Sequence, residues 1–169
     1  MNKLSYLALL VCMVSVAKGQ TCNLNIVRTT PDSRYELVVG SGGSEVLDKQ
    51  TGLIWQRCSL GQSWNGTVCT GTASIHTWTD ALAKAKEVGN GYRLPNIKEL
   101  SSLAEKACVG SAINNSYFPN TASIGYWSSS PDAGSNNYNY VWNVEFHYGS
   151  SHYNTKNYEG VVRVVRVAQ

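Results

Sequence analysis

Four cysteines constrain this chain more than any other feature, and they are four because a fifth falls inside a segment with the marks of an export leader. Lys3 supplies a short positive region, and Leu4 to Val16 form an apolar run too short to span a bilayer. Small residues follow in a pattern that signal peptidase accepts. Ala17-Lys18-Gly19 places the cut before Gln20, the preferred reading, and Ser15-Val16-Ala17 would place it before Lys18. Neither Cys12 nor Cys22 has the small preceding residue of a lipoprotein site, since Val11 and Thr21 stand there. Cleavage therefore predicts an exported chain, periplasmic, cell-surface or secreted, with no membrane insertion after the leader is lost. Loss of Cys12 leaves Cys22, Cys58, Cys69 and Cys108, an even set in an oxidising compartment. Of the three possible connectivities, the short loop from Ser59 to Val68 favours Cys58 with Cys69, leaving Cys22 with Cys108. No CxxC spacing or histidine-rich partner supports a zinc site, so no metal is expected.

The leader also distorts the charge. The whole chain carries a formal +3, but Lys3 and Lys18 leave with the leader, and 12 basic residues then face 11 acidic ones. A nucleic-acid partner has no electrostatic support. The remaining 150 residues suit one domain. With 15% charged residues and 15 glycines, they read as a loop-rich fold with strands rather than a helical bundle.

Residues 23–33 read as a lead-in, 34–39 as a strand and Gly40-Ser-Gly-Gly43 as a turn. Val46-Leu47-Asp48 and Leu53-Ile54-Trp55-Gln56 flank Lys49-Gln-Thr-Gly52, a hairpin whose glycine supplies the positive φ of a tight turn. In residues 77–88, Trp78, Leu82 and Ala85 share one helical face, and Gly89 and Gly91 are stop signals. A second helix follows Arg93-Leu-Pro, with Asn96 and Glu99 spaced as a capping box and Ile97, Leu100 and Leu103 as its buried stripe. Strands are expected at 126–130, 141–147 and 160–167. Two helices on small antiparallel sheets, stapled by disulfides, make an α+β domain.

Thr51-Gly-Leu-Ile-Trp-Gln56, the Trp78 helix, Gly91-Tyr-Arg-Leu-Pro-Asn-Ile-Lys-Glu-Leu100, Tyr117-Phe-Pro119, Tyr126-Trp-Ser-Ser-Ser130, Val144-Glu-Phe146 and Val162-Arg-Val-Val-Arg166 occur in one order. That order resembles the Lcl C-terminal domain family, named for the Legionella collagen-like adhesin. The resemblance divides the chain into a leader (1–19), a lead-in with the first strand (20–43) and an Lcl C-terminal-like domain (44–169). It implies a C-type-lectin-like fold, related also to the formylglycine-generating enzyme, and an adhesin-like role, since the namesake binds sulfated polysaccharides. This chain has no Gly-X-Y stalk, so the namesake's trimeric presentation is not implied and the oligomeric state stays open. The Glu-Pro-Asn and Trp-Asn-Asp calcium motifs of sugar-binding C-type lectins are missing, since Val144 follows Trp142-Asn143. No cofactor is expected, with calcium a minor alternative.

Trp55, Trp78, Trp127 and Trp142 sit in strand or helix patterns and read as core. Trp64, in the disulfide loop, is left open between burial and exposure. Asn65-Gly-Thr67 and Asn114-Asn-Ser116 fit the glycosylation pattern, a match that arises by chance in bacterial chains. The unusual segment is 135–158, which holds five of the ten tyrosines and two of the three histidines. Strand alternation puts Trp142, Val144 and Phe146 on one face and Asn143, Glu145 and His147 on the other, toward solvent. Tyr138, Tyr140, Tyr153, Asn154 and Asn157 are placed on flanking loops, with Tyr148 beside them. Tyrosine gives wide amphipathic contact at low entropy cost and Asn, Ser and His adaptable hydrogen bonds, as in antibody loops. These nine residues are the candidate ligand site, for polysaccharide or glycan first. A retroelement-diversified receptor for surface proteins and a secreted enzyme on envelope polymers are the rivals. The enzyme reading is the weaker one. All four mature cysteines have a structural use, and no motif joins His76, His147 or His152 to a nucleophile or carboxylate.

Overall fold

The computed structural model describes residues 19–134 and 139–168. The leader, with Cys12, lies outside the described residues, as does Tyr138. Both disulfides are present as the loop argument expects, Cys22–Cys108 and Cys58–Cys69. Among the described residues no helix is long and apolar enough to cross a membrane.

In chain order, β1 (Thr21–Cys22), β2 (Tyr35–Leu37), β3 (Glu45–Asp48) and β4 (Leu53–Gln56) precede a small hairpin of β5 (Ser63–Trp64) and β6 (Cys69–Thr70). Next come β7 (Ile75–His76), α1 (Trp78–Glu87), α2 (Ile97–Ser101) and β8 (Cys108–Val109). The C-terminal third holds β9 (Gly125–Pro131), β10 (Tyr140–Glu145), β11 (Ser150–Thr155), β12 (Gly160–Val161) and β13 (Val165–Val167). A four-stranded sheet has the order β13-β4-β3-β2, and a five-stranded one β11-β10-β9-β12-β7. Every pairing is antiparallel except a single parallel contact of β12 with β9 at Val161 and Tyr126. The domain is therefore α+β.

Local chemistry sets the elements the sequence marks. Gly52 closes the β3–β4 hairpin at φ 70°, in the left-handed region that glycine enters without a Cβ clash. Thr77 caps α1 by accepting from the Asp80 N–H. Asn96 and Glu99 exchange both bonds of the capping box, which lets α2 start at a defined residue although it is only five residues long. Leu100 and Leu103 are fully buried against Trp55, Phe118, Tyr126 and Phe146. A second cluster gathers Ala81 and Ala85 of α1 with Leu94, Trp127, Val141, Val162 and Val164.

Two of the differences from the sequence expectation have a plain physical reason. The single strand at 160–167 is two strands in two sheets, joined by the buried run Val162-Arg163-Val164. Its side chains alternate between the clusters: Val161 and Val165 pack in the first, Val162 and Val164 in the second. A segment apolar on both faces is what a buried crossover needs, and it reads in sequence as one long strand. The residues after Gly149 form β11 rather than a loop, pairing residue for residue with β10. Ser-Ser-His-Tyr-Asn-Thr is polar because β11 is an exposed sheet edge, and polar edges carry little strand signal.

The lead-in is held by more than its disulfide. Glu105, fully buried, accepts from the backbone N–H groups of Thr29, Thr30 and Ala107 and from the Thr30 hydroxyl. Burial raises its pKa, but those donors outweigh burial and bring it from the ordinary 4.5 down to about 2. A folded-state pKa below the unfolded one stabilises above the unfolded pKa and is lost as pH falls through the folded value. The carboxylate should thus contribute on the order of 3 kcal/mol at neutral pH, fading between roughly pH 4.5 and 2. Glu105→Gln should be less stable by that amount at pH 7, and the gap from the parent should close in acid. Urea midpoints across pH would check this, and a constant gap would refute it.

Candidate functional site

Cross-strand register brings the site together. Asn143 of β10 lies opposite His152 of β11, Glu145 opposite Ser150, and Val141 opposite Asn154. Asn143, Glu145, His152 and Asn154 therefore share one face. On the other side of β10, Glu145 is paired with Gly125, where β9 begins. Ser123 and Ile124 lead into that position, and Tyr158 arrives from the turn after β11. Together they line a concavity of about 380 Å³.

Gly125 makes the floor possible. A Cβ there would stand 3.0 Å from Asn143 Oδ1, so the absent side chain is the space that the amide occupies. Asn143 itself is only 2% exposed, and its Nδ2 has no hydrogen-bond partner. A buried amide donor without a partner costs about 1–3 kcal/mol, so this position is less stable than an apolar side chain would make it. The walls are polar. The Ser150 hydroxyl and His152 Nε2 share a hydrogen bond of 2.8 Å, and Glu145 Oε2 is 4.0 Å from the same nitrogen. Tyr158, about half exposed, stands edge-on to Trp127, with ring centroids 6.2 Å apart. Trp127 is fixed in turn by donating Nε1–H to the His76 carbonyl at 2.8 Å.

Of the nine residues singled out in sequence, Asn143, Glu145, Tyr153 and Asn154 reach this concavity. The alternation across β10 is as expected, but Asn143 is buried at the floor instead of facing open solvent, because β9 and β11 flank it on both sides. Tyr153 and Asn154 are strand residues, not loop residues, and Tyr140 begins β10. The Tyr153 ring turns to the opposite face, edge-on to Tyr140 and Trp142 at 5.5 and 5.8 Å. His147 and Tyr148 sit in the β10–β11 turn, rings 4.4 Å apart, and line a separate hollow with Thr21, Val109 and Gly110. Asn157 is exposed in the turn after β11 and does not line the concavity.

His152, Tyr158 and the Ser123–Gly125 segment join the site without having been selected from sequence. Register would have found His152: with Gly149 closing the turn at φ 66°, counting back from Glu145 places Asn143 opposite it. Nothing in the sequence relates residues 123–125 to β10, since Gly125 and its partner Glu145 are far apart along the chain.

The remaining candidates resolve as structure. Trp55 and Trp127 are buried, and Trp78 and Trp142 are half-buried. Trp64 is half-buried too, its ring stacked under the Arg57 guanidinium at 3.8 Å. Asn114 is buried with Nδ2 donating to the Thr30 carbonyl and to Asp32, which leaves it closed to modification, whereas Asn65 lies in an exposed turn. Among the described residues, no group of three or more His, Cys, Asp or Glu side chains is placed to hold a metal ion.

No curated protein matches the chain. The family model of the Lcl C-terminal domain matches residues 44–166, a span that takes in β3 through Arg166 of β13 and every residue lining the concavity. That span is well over half of the sequence, and the chain belongs to the Lcl C-terminal domain family.

Proposed function

We propose that this chain is an exported, adhesin-like binding domain that recognises polysaccharide or glycan through the concavity between β9, β10 and β11. The observation that carries the proposal is Asn143. A buried amide donor with no partner, at the floor of a polar hollow with an exposed tyrosine at its rim, is the arrangement a hydroxyl-rich ligand would complete. The family is consistent with an adhesin-like role, and two disulfides suit a compartment outside the cytosol. A C-type-lectin-like architecture belongs to the same proposal, as does binding without calcium.

The reading is of a binding domain rather than an enzyme. His152 Nε2 is hydrogen-bonded to the Ser150 hydroxyl at 2.8 Å, and the Glu145 carboxylate lies on the side of that same nitrogen, 4.0 Å away. A hydrolytic relay needs the carboxylate on the other ring nitrogen, orienting the base from behind. That geometry supports hydrogen bonding to a ligand instead.

A glycan array probed with the oxidised protein, with and without calcium, tests the proposal. Asn143→Leu should reduce binding of any glycan found by about tenfold or more. The same change should leave stability equal or raise it by about 1 kcal/mol, because it removes an unpaired buried donor. Undiminished binding by Asn143→Leu would reject this site, and capture of a surface protein with no glycan signal would favour the receptor reading.

A further inference from the structure

The charge in the concavity narrows the class of sugar. Glu145 is the one acidic residue among the described residues lining it, and no Lys or Arg is among them. Its side chain keeps 31% of its surface exposed, and His152 Nε2 stands 4.0 Å from its Oε2, beyond hydrogen-bond reach. The basic side chains that the fold brings to the surrounding strands are engaged elsewhere. Lys156 lies over the Trp78 ring at 5.1 Å, Lys106 donates to the Gly149 carbonyl, and Arg163 is fully buried.

A sulfate or carboxylate on a ligand would meet the Glu145 carboxylate with no Lys or Arg among the described lining residues to offset it, and with His152 as the one side chain there that protonation can charge. An ammonium would meet an exposed acceptor and the Tyr158 ring at the rim. The amide donor of Asn143, a residue lining the same hollow, suits a ring hydroxyl or ring oxygen and not the ammonium.

Resting on the glycan reading above, we propose that the ligand is a glycan bearing free amines, a hexosamine polymer wholly or partly lacking its N-acyl groups, with Glu145 reading the ammonium.

The test is titration calorimetry of the oxidised protein with three probes: a fully de-N-acetylated chitosan tetrasaccharide, its N-acetylated counterpart, and a heparin-derived tetrasaccharide. One pH that keeps the sugar amine protonated is used throughout, and His152→Asn is titrated beside the parent so that the imidazole 4.0 Å from Glu145 does not set the result. The amine form should bind about tenfold tighter than the acetylated form, and heparin should not compete. Glu145→Gln should bring the amine and acetylated forms level, and salt should weaken amine binding to the parent protein more than to this variant. Equal or tighter binding of the acetylated or sulfated probe, or a preference for the amine that survives Glu145→Gln, overturns the amine proposal and leaves the glycan reading standing. Absence of binding to all three, with a blank glycan array, overturns both.

Discussion

Arg163→Ala should cost about 3–5 kcal/mol, enough to leave a domain of ordinary stability largely unfolded at modest urea. Arg163 is fully buried in the crossover between the two sheets. Its guanidinium donates to the carbonyls of Gln56, the last residue of β4, and Arg57 after it, and to the Thr121 hydroxyl at 2.9 Å. The rings of Phe118 and Tyr126 lie 5.1 and 5.6 Å from it. Burial pushes its pKa down, and its charge is met by carbonyl and hydroxyl dipoles and ring faces, with no carboxylate bonded to it among the described residues. Truncation would remove packing from both rings and orphan the two carbonyls together. Arg163→Met separates these terms, because it keeps most of the volume and removes both the charge and the donors. If the dipoles matter as argued, the Met variant should still lose about 2 kcal/mol. Urea midpoints of parent, Ala and Met proteins decide this, and a Met variant as stable as the parent would show that the guanidinium contributes only bulk.

The second large effect belongs to the longer disulfide. Cys22 and Cys108 are 86 residues apart and Cys58 and Cys69 only 11. On a loop-entropy account, replacing the first pair by serine should cost about 4–5 kcal/mol and the second about 3. The difference should also have a location. Without the Cys22 bridge, the lead-in keeps Glu105 as its main anchor, so trypsin should reach half-exposed Arg28 early, before the core gives way. In the variant lacking Cys58 and Cys69, Arg28 should stay as protected as in the parent. Equal stability losses, or equal cleavage at Arg28, would contradict this account.

Elements with a local chemical cause were legible in the sequence: the Gly52 turn, the Thr77 cap of α1, the Asn96–Glu99 box, and the short disulfide loop. Each depends on residues a few positions apart, so spacing alone specifies it. What sequence did not reveal depends on partners far along the chain. The run 160–167 looks like one strand because both of its faces are buried, and only the two separate clusters show that it changes sheets. Nothing near Arg163 in sequence marks it as buried, because Gln56, Arg57 and Thr121 come to it from far along the chain. At the site, alternation assigned Asn143 and Glu145 to one face correctly. It could not show that β9 would cover Asn143 and strand its amide without a partner, nor that Gly125 would make room for it.

The Cys22–Cys108 bond also determines how the domain would bear a mechanical load. A pull applied at the N-terminus enters at Cys22 and passes through the sulfurs to Cys108, bypassing the 86-residue loop between them. Tension against a ligand held at β10 and β11 then runs from Cys108 toward the concavity, and the segment carrying β2–β4, both helices and the short disulfide cannot be drawn out while the bond is intact. Reduction would add the whole bridged segment to the length that can be drawn out under force.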